Sequence, residues 1–191
     1  MTRAAPGITF ASFQSLGAAT AVEVARDAAD AGFGSFWTAE TTGEEAFATL
    51  GAVAVGAPGI GLGTGVLALQ LRTPMLAAMG AATLQGLAPE QDVLLGVGIS
   101  SPVVVGRWHG ATYGDRPVAR VREYLQLVRE CLSGEVVDHD GEFYRCSRFR
   151  LGVRLGERRP KLVLGALNER MLVTAGELAD GVLLNYLPAS A

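Results

Sequence analysis

Runs of apolar residues alternate with stretches of helical period along this chain. Ile8–Phe13 (ITFASF) reads as a buried strand, and a helix follows over about Ala18–Ala31 with Val22, Ala25, Ala28 and Ala29 toward one face. Gly32 stands where a helix usually ends. Ser35–Glu40 reads as a second strand, Glu44–Ala57 as an Ala-rich helix closed by Pro58-Gly59, and Ile60–Leu69 as a third strand apolar on both faces. Pro74 opens a helix to Leu87, since a first-turn proline loses no hydrogen bond. Asp92–Ile99 is the fourth strand. After a long connection, Val121, Leu125, Val128 and Leu132 mark one face of a helix over Val118–Leu132. The segment 136–151 reads as a hairpin insertion turning at Asp140-Gly141. Lys161–Leu167, Glu169–Leu178 and Gly181–Tyr186 read as strand, helix and strand.

Strands apolar on both faces and separated by helices predict a parallel sheet under a helical cover. A doubly wound open sheet and a (β/α) barrel both satisfy the pattern, and both bind ligands at the carboxyl ends of their strands. The residues at those ends are Phe13 and Gln14, Glu40, Thr64 to Leu67, Ser100 and Ser101, Ala166 to Asn168, and Asn185 with Tyr186.

Composition narrows the class further. The chain has 191 residues, 49% hydrophobic and 18% charged, with a formal net charge of -3. That suits one packed domain and gives no global electrostatic reason to bind nucleic acid. No apolar stretch reaches membrane-spanning length without interruption, and the N-terminus lacks the form of a signal peptide, so cytoplasmic is the default expectation. The two cysteines, Cys131 and Cys146, fit neither a CxxC pair nor a zinc cluster, and His109 and His139 join no HExxH or HxH spacing. No metal site is expected.

The glycine-rich segments Gly61-Leu62-Gly63-Thr64-Gly65-Val66 and Gly96-Val97-Gly98-Ile99-Ser100-Ser101 each miss the last glycine of the dinucleotide fingerprint. Glu40, a carboxylate at a buried strand's end, suits either acid–base work or capping of the next helix. No nucleophile elbow surrounds Ser100 or Ser101. His109 reads as structural. The cationic run Arg145, Arg148, Arg150, Arg154, Arg158, Arg159 and Lys161 is either a solvated loop or a landing strip for an anionic ligand tail.

Longer motifs point to a family. Trp37-Thr38-Ala39-Glu40, Gly61 through Val66, Arg72-Thr73-Pro74, Leu95-Gly96-Val97-Gly98, Trp108-His109-Gly110, Arg116-Pro117, Leu132-Ser133-Gly134-Glu135, Gly141-Glu142-Phe143-Tyr144 and Ala179 through Asn185 occur in order over nearly the whole chain. Together they resemble the bacterial luciferase-like family, and most closely its deazaflavin (coenzyme F420)-dependent oxidoreductases. The resemblance implies a TIM-like (β/α) barrel of parallel strands, with about six of the eight βα units present in a single domain over 1–191. It also implies a non-prolyl cis peptide at Gly65–Val66, pressing on the middle of the deazaflavin ring.

On the same grounds Thr64, Gly65, Val66, Ser100 and Ser101 would contact the cofactor. Gly165, Ala166, Leu167 and Asn168, at a helix N-terminus, would face its phosphate. Glu40 is the candidate catalytic residue. The implied chemistry is hydride transfer at the deazaflavin C5 to or from a small organic substrate, with FMN-dependent monooxygenation as the alternative within the family. Relatives normally continue for two further βα units. The chain therefore reads as a piece of a longer enzyme, as a compact homo-oligomer whose copies cover open edges, or as a non-catalytic flavin-binding module.

Overall fold

The strands of the main sheet lie side by side in the order in which the chain makes them. The computed structural model describes residues 5–184, the side chains of Ser12 and Gln14 excepted. Strands β1 (Gly7–Thr9), β2 (Ser35–Thr38), β3 (Gly61–Thr64), β4 (Leu67–Ala68), β5 (Val93–Gly98), β8 (Lys161–Gly165) and β9 (Gly181–Leu183) form one sheet. Its order is β1-β2-β3-β5-β8-β9, every pairing is parallel, and β4 continues along β5 beyond the point where β3 stops. Helices α1 (Ala18–Asp30), α2 (Ala46–Gly56), α3 (Pro74–Leu87), α4 (Pro117–Cys131) and α5 (Glu169–Leu178) each pack against the next in sequence.

That winding decides between the two candidate architectures. A doubly wound sheet reverses its strand order at a switch point and splits its helices between two faces. Here the order never reverses and successive helices are neighbours, which is the winding of a (β/α) barrel. The core lies between the helices and the outer face of the sheet, where Phe36, Leu62, Leu95, Leu162 and Leu164 meet alanines and leucines of the helices.

The inner face is built differently. Strand register puts Trp37 beside Gly63, and Gly96 beside Val163. The Trp37 ring lies so close over Gly63 that a Cβ there would overlap it, and the indole N–H donates to Ser35 Oγ at 2.8 Å. Glycine is required at 63 by the width of the indole.

Several boundaries differ from the sequence reading. Strand β1 ends at Thr9, and Ala11–Leu16 is a 3-10 turn. The Phe10 amide still reaches Trp37 O, but the Phe13 amide folds back onto Phe10 O. The buried face of α1 is Ala21, Ala25 and Ala28; Ala25 and Ala28 are buried as expected, Ala21 is buried in place of Val22, and Val22 and Ala29 are only half-buried. The third strand is two pieces, β3 and β4, broken at Gly65–Val66, and that peptide bond is cis. Residues 136–151 form the expected hairpin, β6 (Val137–Asp140) with β7 (Arg145–Phe149), but Asp140 pairs with Arg145 and Gly141–Tyr144 form the loop. The long connection after β5 contains a π-helical turn, Val103–Trp108. The expected site residues Asn185 and Tyr186 lie outside the described residues.

Candidate functional site

A cleft of about 410 Å³ opens at the carboxyl ends of β3, β5, β8 and β9. Its floor is the Gly65–Val66 break, and its sides are the chain leaving β5 (Gly98, Ile99, Ser100) and the chain leaving β8 (Gly165, Ala166, Leu167, Asn168). Tyr113, Pro117, Met171 and Leu183 complete it, and among the described residues no charged side chain lines the cleft.

The floor is shaped by missing side chains. The Val66 isopropyl group sits over two glycines: a Cβ at Gly98 would come within 3.0 Å of one methyl, and a Cβ at Gly165 within 3.4 Å of both. The only side chain there is consequently the apolar one of Val66. At the far side, Asn168 caps α5, its Oδ1 accepting from Met171 N at 3.0 Å. Asn168 and Met171 both line the cleft, so the amino end of α5, the positive end of its dipole, borders it.

Seven of the ten expected site residues come together here: Gly65, Val66, Ser100, Gly165, Ala166, Leu167 and Asn168. Thr64 and Ser101 do not line the cleft. Thr64 is buried, and its hydroxyl donates to Gly96 O and accepts from Gly96 N, each at 2.8 Å. Ser101 Oγ accepts from Val104 N at 3.2 Å, opening the π-helical turn. Both brace segments that do line the cleft.

Glu40 also stands outside the lining residues. Its Oε1 accepts from Ala46 N at 3.1 Å, at the start of α2, and from Arg72 Nη2 at 2.9 Å. Burial, then a hydrogen bond with Glu45, pushes its carboxyl above the ordinary range, and Ala46 N–H and Arg72 offset only part of this. The capping role is thus visible in the geometry. Thr38, two residues earlier, accepts from Gly65 N at 2.7 Å and joins this strand end to the cleft floor.

Other candidates fall elsewhere. His109 Nε2 meets Thr41 O at 3.0 Å, tying the connection after β5 to the loop after β2. The cationic run does not reach the cleft: Lys161 opens β8, while Gly165, which lines the cleft, closes it. Lys161 and Arg158 pair with Asp92, just before β5, at 2.8 and 3.2 Å, and Arg159 bonds Leu132 O at the end of α4. The landing-strip reading for a ligand tail is corrected for Arg158, Arg159 and Lys161, because these three gather at the amino ends of the strands. Burial pushes the Cys131 thiol up to about 12, which keeps it protonated. Tyr113 and Pro117 were missed because the connection carrying them has no periodicity; the Gly114 turn and Pro117 at the start of α4 were the available signals.

Known proteins share this sequence and shape. The family model of luciferase-like monooxygenases matches residues 5–191. An inferred coenzyme F420-dependent oxidoreductase of Mycobacterium tuberculosis is 35% identical over 182 residues, covering 88% of this chain and 52% of the relative. The 5,10-methylenetetrahydromethanopterin reductase of Archaeoglobus fulgidus is 31% identical, covering 83% of this chain and 46% of the relative. The chain thus spans about half the length of these curated relatives. Among solved structures, an F420-dependent secondary alcohol dehydrogenase in complex with an F420-acetone adduct superposes with a TM-score of 0.85 at 18% identity, over 96% of this chain and 58% of that one. The coenzyme F420-dependent tetrahydromethanopterin reductase of Methanopyrus kandleri gives 0.81 at 21% identity, over 95% and 55%. These likenesses establish the fold as that of TIM-barrel enzymes of this type.

Proposed function

The chain belongs to the luciferase-like monooxygenase family, and on that premise we propose that it is a coenzyme F420-dependent oxidoreductase acting on a small organic substrate. The observation that carries the reading is the cleft floor. A floor with no side chain beyond the Val66 isopropyl group, which lies over Gly98 and Gly165, leaves room for a planar ring system such as a deazaflavin. A larger residue at 98 or 165 would fill the space the ring needs.

Gly65 and Val66 would support the ring, and Ser100 would donate to a polar atom at its edge. Gly165, Ala166, Leu167 and Asn168 would bring the tail's phosphate to the amides of α5, an anion site that needs no cationic side chain. Thr64 and Ser101 would act one step back, by holding Gly96 and the turn after Ser101 in place. When bound, the deazaflavin supplies a site that gives or takes a hydride. Glu40, at the end of β2, would hold or release the accompanying proton at its carboxyl. Its raised affinity for a proton supports that role.

Two further statements belong to this reading. Helices α2 and α3 carry no charged residue on any face, yet Val55, Leu76, Met79 and Leu87 are exposed on them. An uncharged helix pair in water argues for a homodimer that covers it. The free thiols Cys131 and Cys146 support a reducing, cytoplasmic setting.

Cofactor titration tests the proposal. Quenching of F420 fluorescence on addition of protein is expected, with tighter binding than FMN shows. Tighter binding of FMN would overturn the choice of cofactor. Bound, reduced F420 that no carbonyl, imine or quinone acceptor oxidises would mark a binding module instead of an enzyme.

A further inference from the structure

One guanidinium joins the loop after β2 to the loop before α3. Arg72 Nη2 lies 2.9 Å from Glu40 Oε1 and 2.6 Å from Glu45 Oε1. The guanidinium stands over the Phe47 ring, 5.0 Å from its centroid. Both carboxyls thus lie against one guanidinium nitrogen. Glu45 Oε2 caps α2 by accepting from Ala48 N at 2.6 Å, so the helix start fixes both acids. Their access to water differs: Glu40 is 19% exposed and Glu45 47%.

Two carboxyls gathered on one nitrogen disfavour each other's second charge. Burial and Glu45 hold Glu40 above the ordinary range. Burial pushes Glu45 the same way, but the Ala48 amide and Glu40 outweigh it and leave Glu45 below. The inner acid therefore holds a proton more readily, and the outer one releases it more readily. A second observation points at the same place. The hydroxyl of fully buried Tyr124, on α4, has no partner among the described residues, and the charges of Arg72 and Glu40 both act on it. Gln70, two residues before Arg72 and 9% exposed, leaves both amide atoms unpartnered among the described residues. Buried polar groups of this kind ordinarily serve a polar network.

We propose that Glu45 is a proton relay between solvent and Glu40, and that Arg72 is the positioning residue that keeps the two carboxyls in contact. The inference rests on the reading of Glu40 as the acid–base group. Reduction of a C=O or C=N acceptor takes a hydride, with both electrons, at carbon and one proton at the heteroatom. The Glu40 O–H bond breaks as the heteroatom–H bond forms. Glu45 takes a proton from water, and its O–H bond then breaks as that of Glu40 re-forms. Oxidation runs the same transfers backward. The charged and titratable groups acting on the pair are Arg72 from the loop before α3 and, at Glu40, Tyr124 from α4.

The test is carbon-detected NMR titration of the glutamate carboxyls in the full chain, alongside oxidation of reduced F420 by the ketone acetone. In Glu45→Gln the Glu40 midpoint is expected to fall by about one pH unit. Turnover should fall about tenfold at the alkaline end of its profile with KM unchanged. Arg72→Lys should keep much of the coupling and Arg72→Met lose it. An unchanged Glu40 midpoint in Glu45→Gln overturns the relay. Intact coupling with full turnover by Glu40→Gln overturns the acid–base reading instead, and the relay with it. Glu45→Asp, which keeps the cap and the charge, should retain the linked titration; independent titration in that folded variant counts against the relay.

Discussion

The Thr64 hydroxyl bonds both the amide and the carbonyl of Gly96, each at 2.8 Å. It takes the ladder positions that β3 gives up where the strand breaks before β4, so the sheet stays satisfied across its own interruption. Gly96 has to be glycine there, since a Cβ would overlap the Thr64 carbonyl oxygen. Thr64→Val, which leaves a buried amide and carbonyl unpaired, should cost about 2–4 kcal/mol. Thr64→Ser should stay within about 1 kcal/mol. Urea denaturation of the two variants separates these outcomes.

Gly165→Leu should fill the open floor without touching the core, because Gly165 faces the cleft and its Cβ position points at Val66. F420 affinity is expected to fall at least about tenfold, which is about 1.4 kcal/mol. Circular dichroism should stay that of the parent. Unchanged affinity would place the cofactor elsewhere.

Charge reversal at Arg158 and Arg159 should leave F420 affinity within about twofold of the parent, because both belong to the amino end of the sheet. A large, salt-sensitive loss of affinity would show that the tail reaches that end after all.

Glu123, on α4, accepts the amides of Glu142, Phe143 and Tyr144 and meets His139 Nε2 at 3.2 Å, pinning the β6–β7 hairpin. Burial raises its carboxyl, but the Tyr144 amide, His139 and the Phe143 amide outweigh that and hold it below the ordinary range. A lowered folded value means stability that is full above the unfolded value and lost as pH falls through the folded one. Glu123→Gln should therefore cost about 2–3 kcal/mol at neutral pH and make the remaining stability less sensitive to acid. Amide exchange of residues 141–144 against pH is the measurement.

Met79→Glu, on the uncharged α3, should convert a dimer to monomers in sedimentation equilibrium. The site is 46% exposed in the single chain, so the substitution burdens the dimer and not the fold. A monomeric parent would remove the homodimer reading.

Local chemistry made much of the fold legible. Helix α3 starts at Pro74 after the Thr73 cap, and α5 starts after the Asn168 cap, both where the sequence places them. The buried face of α4 is the expected one, since Val121, Leu125 and Val128 stand out against charged neighbours. The face of α1 is met at Ala25 and Ala28 but not at Val22 and Ala29, for the converse reason: with alanine on several sides, apolar periodicity sets the phase loosely. The candidate site was legible where glycines and strand ends coincide. It was illegible at Tyr113, which an aperiodic connection carries to the cleft.

The sequence by itself determined the alternation of strands and helices, the proline start of α3 and the small residues at strand ends, because each depends on a few neighbouring residues. Only the tertiary structure decided that Arg158, Arg159 and Lys161 lie at the amino end of the sheet, that Thr64 spends its hydroxyl on Gly96, and that Arg72 gathers Glu40 and Glu45. Those outcomes depend on which strand lies beside which and on which way each strand runs. Pairing between distant segments sets both, and no local pattern encodes them.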